Sequence, residues 1–270
     1  MEFNFYMPVR IVAGENCVRK NAALFAPFGR SALIVTGKSS ARNGSLADVQ
    51  AALASNGQAY AVYDQIPPNP TVGSVEEGAR IAREAGASFV VAVGGGSPMD
   101  AAKAIAMLAR QGSEGSIFTR AIGADVLPMV HVPTTAGTGS EVTPYAILNN
   151  DEKQTKTSIS APSLFPKIAF LDARYTQSLP RSETVNTAVD AISHAVEGML
   201  SVRAGTLSDA VARESLHWLL GEYDALRGGE LSPRSRQNLL YGATLAGIVI
   251  ANTGTTPVHG MGYSLTYFHG

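Results

Sequence analysis

Phe89-Val90-Val91-Ala92-Val93-Gly94-Gly95-Gly96-Ser97-Pro98-Met99-Asp100-Ala101-Ala102-Lys103 is the stretch that decides the fold class of this chain. Its continuous apolar run, residues 89–93, suits a strand buried on both faces, as in a parallel sheet. The run ends at three glycines, and a helical pattern follows with Pro98 near its start, where proline is favoured. Glycines let the backbone approach a phosphate closely, and the N–H groups and dipole of a helix start attract the anion. The Rossmann spacing G-x-G-x-x-G is not met, because Met99 stands in the third glycine's place. A tight strand-to-helix turn also accounts for the stretch; three glycines and a serine favour nucleotide or phosphate binding. Asp100 and Lys103 follow one turn apart, close enough to face the same ligand.

Working outward, apolar runs at 32–36, 60–63, 129–132 and 168–171 read as further strands. The first ends at Gly37, and the second precedes the turn-rich Pro67-Pro68-Asn69-Pro70. Helical patterns lie between them, as at 75–85 and 100–110, giving the rhythm of an α/β domain with a parallel sheet. A second polar loop, Pro133-Thr134-Thr135-Ala136-Gly137-Thr138-Gly139-Ser140-Glu141, follows the strand at 129–132. It falls where such sheets bind ligands, at strand carboxyl ends, or is an ordinary surface loop. Near Leu179-Pro180 the strand signals fade, and 184–202, 208–219 and 234–251 read as helices. The boundary is placed at 180, with an α/β domain at 1–180 and an all-α domain at 181–270.

Hydrophobic residues make up 45% of the 270, so a large core is available, and charged residues only 16%. The net charge of −1 gives no electrostatic reason for a nucleic-acid or anionic-membrane partner. Cys17 is the one cysteine, so neither an intrachain disulfide nor a Cys-rich zinc module forms. Residues 1–6 lack the basic and apolar regions of a signal peptide. No run of about 18 apolar residues appears, and a cytoplasmic protein is the expectation.

Asp190 and His194 stand four residues apart in the helix 184–202, on one face and one turn apart. A carboxylate and an imidazole so placed can bind one divalent metal, or form an ordinary hydrogen-bonded pair. Val189, Ile192, Val196 and Met199 mark a separate apolar stripe on the same helix, the expected core face.

These pieces together resemble the iron-containing (group III) alcohol dehydrogenase family. The matching elements are residues 94–103, 133–141, Asp190-Ala191-Ile192-Ser193-His194-Ala195-Val196-Glu197, and His259-Gly260-Met261-Gly262-Tyr263. The resemblance implies a dinucleotide-binding first domain, a helical second domain and an active site in the cleft between. It implies hydride transfer between a nicotinamide cofactor and a small alcohol or aldehyde, with Fe²⁺ or Zn²⁺ as Lewis acid on the substrate oxygen. By the family pattern Asp190, His194 and His259 are the metal ligands and catalytic centre. Gly95, Gly96 and Ser97 hold the pyrophosphate, and Gly37, Asn69, Asp100, Thr134, Thr135, Thr138 and Lys156 belong to the cofactor site. A homodimer or higher homo-oligomer is expected.

Two departures from the pattern matter. Many NAD-preferring relatives carry an Asp where this chain has Gly37, followed here by Lys38-Ser39-Ser40; a cation and hydroxyls favour NADP over NAD. The family's fourth ligand, a His fourteen residues after His259, would fall at position 273, and the sequence stops at Gly270. The expectation is therefore a truncated chain, with a non-catalytic nucleotide-binding protein as the alternative. Glycerol dehydrogenase and the metal-independent maleylacetate reductases are further alternatives; retention of three ligand residues argues against the metal-free branch. Among other histidines, His269 is close enough to the set to act as a makeshift ligand or substrate contact. His217, beside Trp218, reads as structural, and His131 as a satisfied core histidine. Tyr263 occupies a position where many relatives carry a proton-relaying His; an ordinary phenol is a poor base at neutral pH.

Overall fold

The computed structural model describes residues 3–38 and 40–269. Ser39, one of the hydroxyls noted after Gly37, lies outside the described residues.

Six parallel strands form one sheet: β1 (Arg10–Ala13), β2 (Ser31–Thr36), β3 (Ala59–Tyr63), β4 (Phe89–Gly94), β5 (Met129–Pro133) and β8 (Ile168–Leu171). Their order is β1-β8-β5-β4-β2-β3. All five strands read from the sequence are present within a residue or so of the expected bounds. The sheet's two faces follow the alternation of the strands. Leu33, Val35, Val90 and Ala92 face α3 (Val72–Glu84) and α4 (Gly96–Gln111). Ile34, Val91 and Val93 face α1 (Cys17–Lys20) and α2 (Ser45–Ser55). β4 is buried at every residue, as an unbroken apolar run requires. β3 is an edge strand, so its Tyr60 and Val62 remain exposed.

Between β5 and β8 the chain makes an antiparallel hairpin, β6 (Tyr145–Asn150) with β7 (Thr155–Ser160), in register from Tyr145–Ser160 to Asn150–Thr155. Neither hairpin strand nor β1 was legible as an apolar run. β6 alternates buried and half-buried residues, and β1 is a four-residue edge strand with no fully buried position.

After residue 180 all described elements are helical: α5 (Arg181–Leu200), α6 (Thr206–Leu220), α7 (Tyr223–Arg227), α8 (Pro233–Thr253) and α9 (Pro257–His269). α5, α6 and α8 share a core of Ala188, Ala191, Ala195, Ala212, Leu219, Leu240 and Ala243, which is continuous with Val142, Ala169 and Leu171. The helices are thus built onto the β8 side of the sheet rather than tethered beside it.

Of the expected apolar stripe of α5, only Ile192 packs against this core. Val189, Val196 and Met199 are all exposed, while the buried side chains include Thr184, Ala188, Ala191, His194, Ala195 and Glu197. The reason is close packing: a Cβ at Gly198 would lie 2.2 Å from Val249 Cγ1. Small residues line the contact, because larger ones would hold α5 and α8 apart. Among the described residues no helix is long and apolar enough to cross a membrane.

Candidate functional site

A cavity of about 760 Å³ lies at the carboxyl ends of β4 and β5. β2 and β4 are neighbours in register, Thr36 beside Val93, and the connections leave them in opposite directions along the sheet. This is a topological switch point, where open α/β sheets form a ligand crevice. Gly37 and Gly94 stand at its two sides.

α4 opens directly after β4, so its first turn points into the cavity. Gly96 and Ser97 line it, with Asn69, Asp100, Thr138 and Lys156. The glycines serve packing as well as access. A Cβ on Gly96 would sit 2.8 Å from Thr138 Cγ2, and one on Gly95 would sit 3.1 Å from Thr135 Cγ2. Asn69 adopts φ 58° and donates its N–H to Ser97 Oγ at 3.2 Å, a backbone region that Asn tolerates better than most residues. Of the residues implied for the cofactor, Gly37, Gly95, Thr134 and Thr135 are not among those lining the cavity. Burial lowers the Lys156 pKa from its ordinary value, against the opposing pull of Asp100 and Asp190.

Across the cavity, Asp190 and His194 of α5 meet His259 of α9. One donor atom from each lies within 4.8 Å of the others. His194 Nε2 is 3.7 Å from Asp190 Oδ1, and the two imidazoles lie tilted at 37° with ring centroids 4.8 Å apart. His194 is buried, and burial lowers its pKa despite Asp190. A neutral imidazole is the metal-binding form. Its Nδ1 lies beside the Gly137 backbone without a hydrogen bond of normal geometry. One carboxylate with two imidazoles is a donor set for Fe²⁺ or Zn²⁺, and three such groups converging on a buried ring fit a divalent ion.

Two groups differ from the sequence reading: one was given no role beyond the family motif, the other a different one. Glu197, one turn beyond His194, is buried beneath His259. Its Oε1 accepts from Ser193 Oγ at 2.7 Å and faces His259 Nδ1 at 3.3 Å; its Oε2 accepts from Thr256 N and Oγ1, both at 2.7 Å. Burial pushes the Glu197 pKa up, but the bonds from Ser193 and Thr256 outweigh it and hold the carboxylate below its usual value. The i, i+3 spacing of His194 and Glu197 was the available signal.

The second group is Lys103, which does not face the ligand space alongside Asp100 as its spacing implied. It is fully buried. Nζ donates to Ser140 Oγ at 2.8 Å, Thr143 Oγ1 at 3.3 Å and Tyr145 O at 2.7 Å. Burial lowers its pKa to about 8, with Asp100 and Glu141 opposing. Asp100 reaches the cavity, accepting from Ser140 Oγ at 2.5 Å and Ile147 N at 3.1 Å.

Other readings change. His131 is a core residue whose ring lies beside the Ser140 backbone without a hydrogen bond of normal geometry; burial drives its pKa far down, so the ring is neutral. His269 is exposed at the far end of α9, about 15 Å along the helix from His259 at 1.5 Å per residue, and does not join the donor set. His217 is exposed, its ring 6.5 Å from that of Trp218. Tyr263 lines the cavity edge-on to His259; burial, with nearby carboxylates, raises it to about 12, so it is a neutral donor rather than a base.

Residues 8–173 match the family model described as iron-containing alcohol dehydrogenase, and residues 184–270 match the C-terminal model of the same family. The chain belongs to the iron-containing alcohol dehydrogenase family. It is 33% identical to lactaldehyde reductase of Escherichia coli (strain K12) over 245 residues, covering 89% of this chain and 63% of that protein. The chain thus spans less than two thirds of that relative's length. A solved iron-containing alcohol dehydrogenase of Thermotoga maritima superposes with a TM-score of 0.91 at 41% identity, over 98% of this chain and 74% of the other. Sulfoacetaldehyde reductase of Bifidobacterium kashiwanohense, solved in complex with NAD⁺, superposes with a TM-score of 0.89 at 29% identity, over 100% of this chain and 72% of the other.

Proposed function

We propose that this chain is the dinucleotide- and metal-binding part of an alcohol dehydrogenase or aldehyde reductase, moving a hydride between NAD(P)H and a small alcohol or aldehyde. One observation carries the reading: Asp190, His194 and His259 converge within 4.8 Å in the same cavity that the first turn of α4 enters. The α/β part (1–180) and the helical part (181–270) each supply one wall.

Asp190, His194 and His259 hold a divalent ion, Fe²⁺ by the family's name or Zn²⁺ by the chemistry of the donors. When bound, that ion supplies Lewis acidity at the substrate oxygen and the dinucleotide supplies the hydride. The chain's own residues bind and align. Gly95, Gly96 and Ser97 place backbone N–H groups at a helix start for the pyrophosphate. Asn69, Thr134, Thr135, Thr138, Lys156 and Asp100 form the surrounding wall, and Tyr263 keeps its proton and offers Oη–H as a donor.

Gly37 follows β2 at the switch point, where a carboxylate would recognise ribose hydroxyls. With no acid there and Lys38 next, the pocket favours NADP over NAD. Substrates are small alcohols or aldehydes, the assembly is a homo-oligomer, and the compartment is the cytoplasm. The test is NADPH oxidation with a panel of short aldehydes after loading with Fe²⁺ or Zn²⁺. Turnover is expected with at least one aldehyde; none from a folded, metal-loaded protein overturns the reading.

A further inference from the structure

We propose that Glu197 is a positioning residue that fixes His259 in the tautomer with a bare Nε2 and anchors the start of α9 against α5. The proposal rests on the reading of Asp190, His194 and His259 as a metal site.

His259 is the ligand with the weakest support from its own helix. α9 has no buried residue among those described, and His259 lies in its first turn. Asp190 and His194 sit on the long, packed α5. Something must hold the first turn of α9 in place if three donor atoms are to stay within reach of one ion. Glu197 is a side chain that spans the two helices by hydrogen bonds. It belongs to α5, one turn beyond His194, and is 5% exposed. Its Oε2 takes both the backbone N–H and the hydroxyl of Thr256 at 2.7 Å. Thr256 immediately precedes α9, so this oxygen fixes where the helix begins.

The other oxygen, Oε1, accepts from Ser193 Oγ at 2.7 Å and meets His259 Nδ1 at 3.3 Å. A carboxylate accepts and does not donate. Nδ1 must therefore carry the ring's proton, and the neutral imidazole keeps its lone pair on Nε2. That is the nitrogen left to face Asp190 and His194. A carboxylate behind a ligating histidine orients the ring and raises its basicity, and losing such a partner typically weakens metal binding about 10- to 100-fold.

Glu197→Gln separates the two functions of the side chain. The amide oxygen can still accept from Thr256, so the helix anchor survives. The amide NH₂ takes the place of Oε1, donates into Nδ1 and drives the ring proton to Nε2.

The experiment uses metal-free, ¹⁵N-histidine-labelled protein and two-bond ¹H–¹⁵N correlation spectra, followed by titration with Co²⁺ as the spectroscopic probe. In the wild type His259 is expected with protonated Nδ1 and bare Nε2. In Glu197→Gln the two nitrogens exchange roles, and the Co²⁺ dissociation constant rises about 10- to 100-fold. A wild-type His259 protonated at Nε2 overturns the proposal whatever the variant does. A variant with unchanged tautomer and unchanged Co²⁺ affinity also overturns it. If the wild type binds no Co²⁺, the metal-site reading fails, while the tautomer spectra still decide the role of Glu197.

Discussion

Lys103 Nζ donates to Ser140 Oγ at 2.8 Å, tying the helix that follows the glycine loop to the polar loop opposite. Ser140 passes a bond on to Asp100 at 2.5 Å, so one ammonium organises a wall of the cleft. Its three protons have three acceptors, which is why a lysine survives with no solvent contact. Replacing Lys103 with Met leaves the buried Glu141 and the partly buried Asp100 without their cation. Breaking a buried ionic network from one side costs about 3–5 kcal/mol. Urea denaturation at neutral pH is expected to register a loss of that order; an unchanged midpoint and slope contradict the role.

A second clamp sits away from the cleft. Asp48 accepts from Arg19 Nε at 2.5 Å, Arg174 at 3.1 Å and Tyr175 Oη at 2.8 Å. Burial pushes its pKa up, but these bonds outweigh burial and set it below the ordinary carboxylate value. A folded-state pKa below the unfolded one means that the unfolded chain binds more protons, so stability is present above about pH 4 and lost as pH falls. Asp48→Asn should flatten the acid limb of a plot of stability against pH while leaving its slope above pH 6 unchanged. Parallel acid limbs would show that Asp48 contributes nothing to it.

The loop carrying Ser140 is seated by a backbone contact. A Cβ on Gly247 of α8 would fall 2.7 Å from Gly139 Cα and 2.9 Å from its carbonyl oxygen, and Gly139 holds φ 62°. Backbone on both sides cannot yield cheaply. Gly247→Ala is expected to cost about 1–3 kcal/mol and to lower the melting temperature, despite the better helix propensity of Ala. A raised melting temperature contradicts this packing.

How much of this was readable beforehand depends on burial. The five strands at 32–36, 60–63, 89–93, 129–132 and 168–171 were legible because a parallel sheet covered on both faces demands unbroken apolar runs. β6 and β1 escaped because partly exposed strands leave no such run. In the helical part, the stripe of Val189, Val196 and Met199 misled. Close helix contacts select Ala and Gly, which carry little hydrophobic signal, so the packed face of α5 looked bland. Asp190 and His194 announced themselves by spacing, since one helix turn fixes their relation. His259 arrived only through the family resemblance: it lies sixty-two residues beyond Glu197, on a helix that buries nothing. Val258, Met261, Leu265 and Phe268 do repeat at helical spacing and were the available sign of α9, with Gly260 and Gly262 breaking the pattern. Lys103 could not be read from spacing, because a side chain one turn from a cavity-lining residue has two ways to turn, outward to the cavity or inward to the core.

The proposed cofactor preference turns on one position. A Cβ at Gly37 would meet only Pro98 Cγ at 3.7 Å, an ordinary contact, so an acidic side chain can be placed there without strain. Gly37→Asp sets a carboxylate where a 2′-phosphate is proposed to lie. Like charges brought together cost several kcal/mol, and about 1.4 kcal/mol is already tenfold. The KM for NADPH should rise at least about tenfold relative to that for NADH. An unchanged ratio of the two would place the discriminating group elsewhere.

The central claim is that Asp190, His194 and His259 together hold one metal ion. Metal content after anaerobic loading with Fe²⁺ and removal of free ion tests it most directly, with His194→Ala as the comparison. The account predicts close to one ion per folded wild-type chain and a near-complete loss in His194→Ala, with the circular dichroism of the two proteins alike. Equal metal in both proteins, or none in the folded wild type, would contradict it.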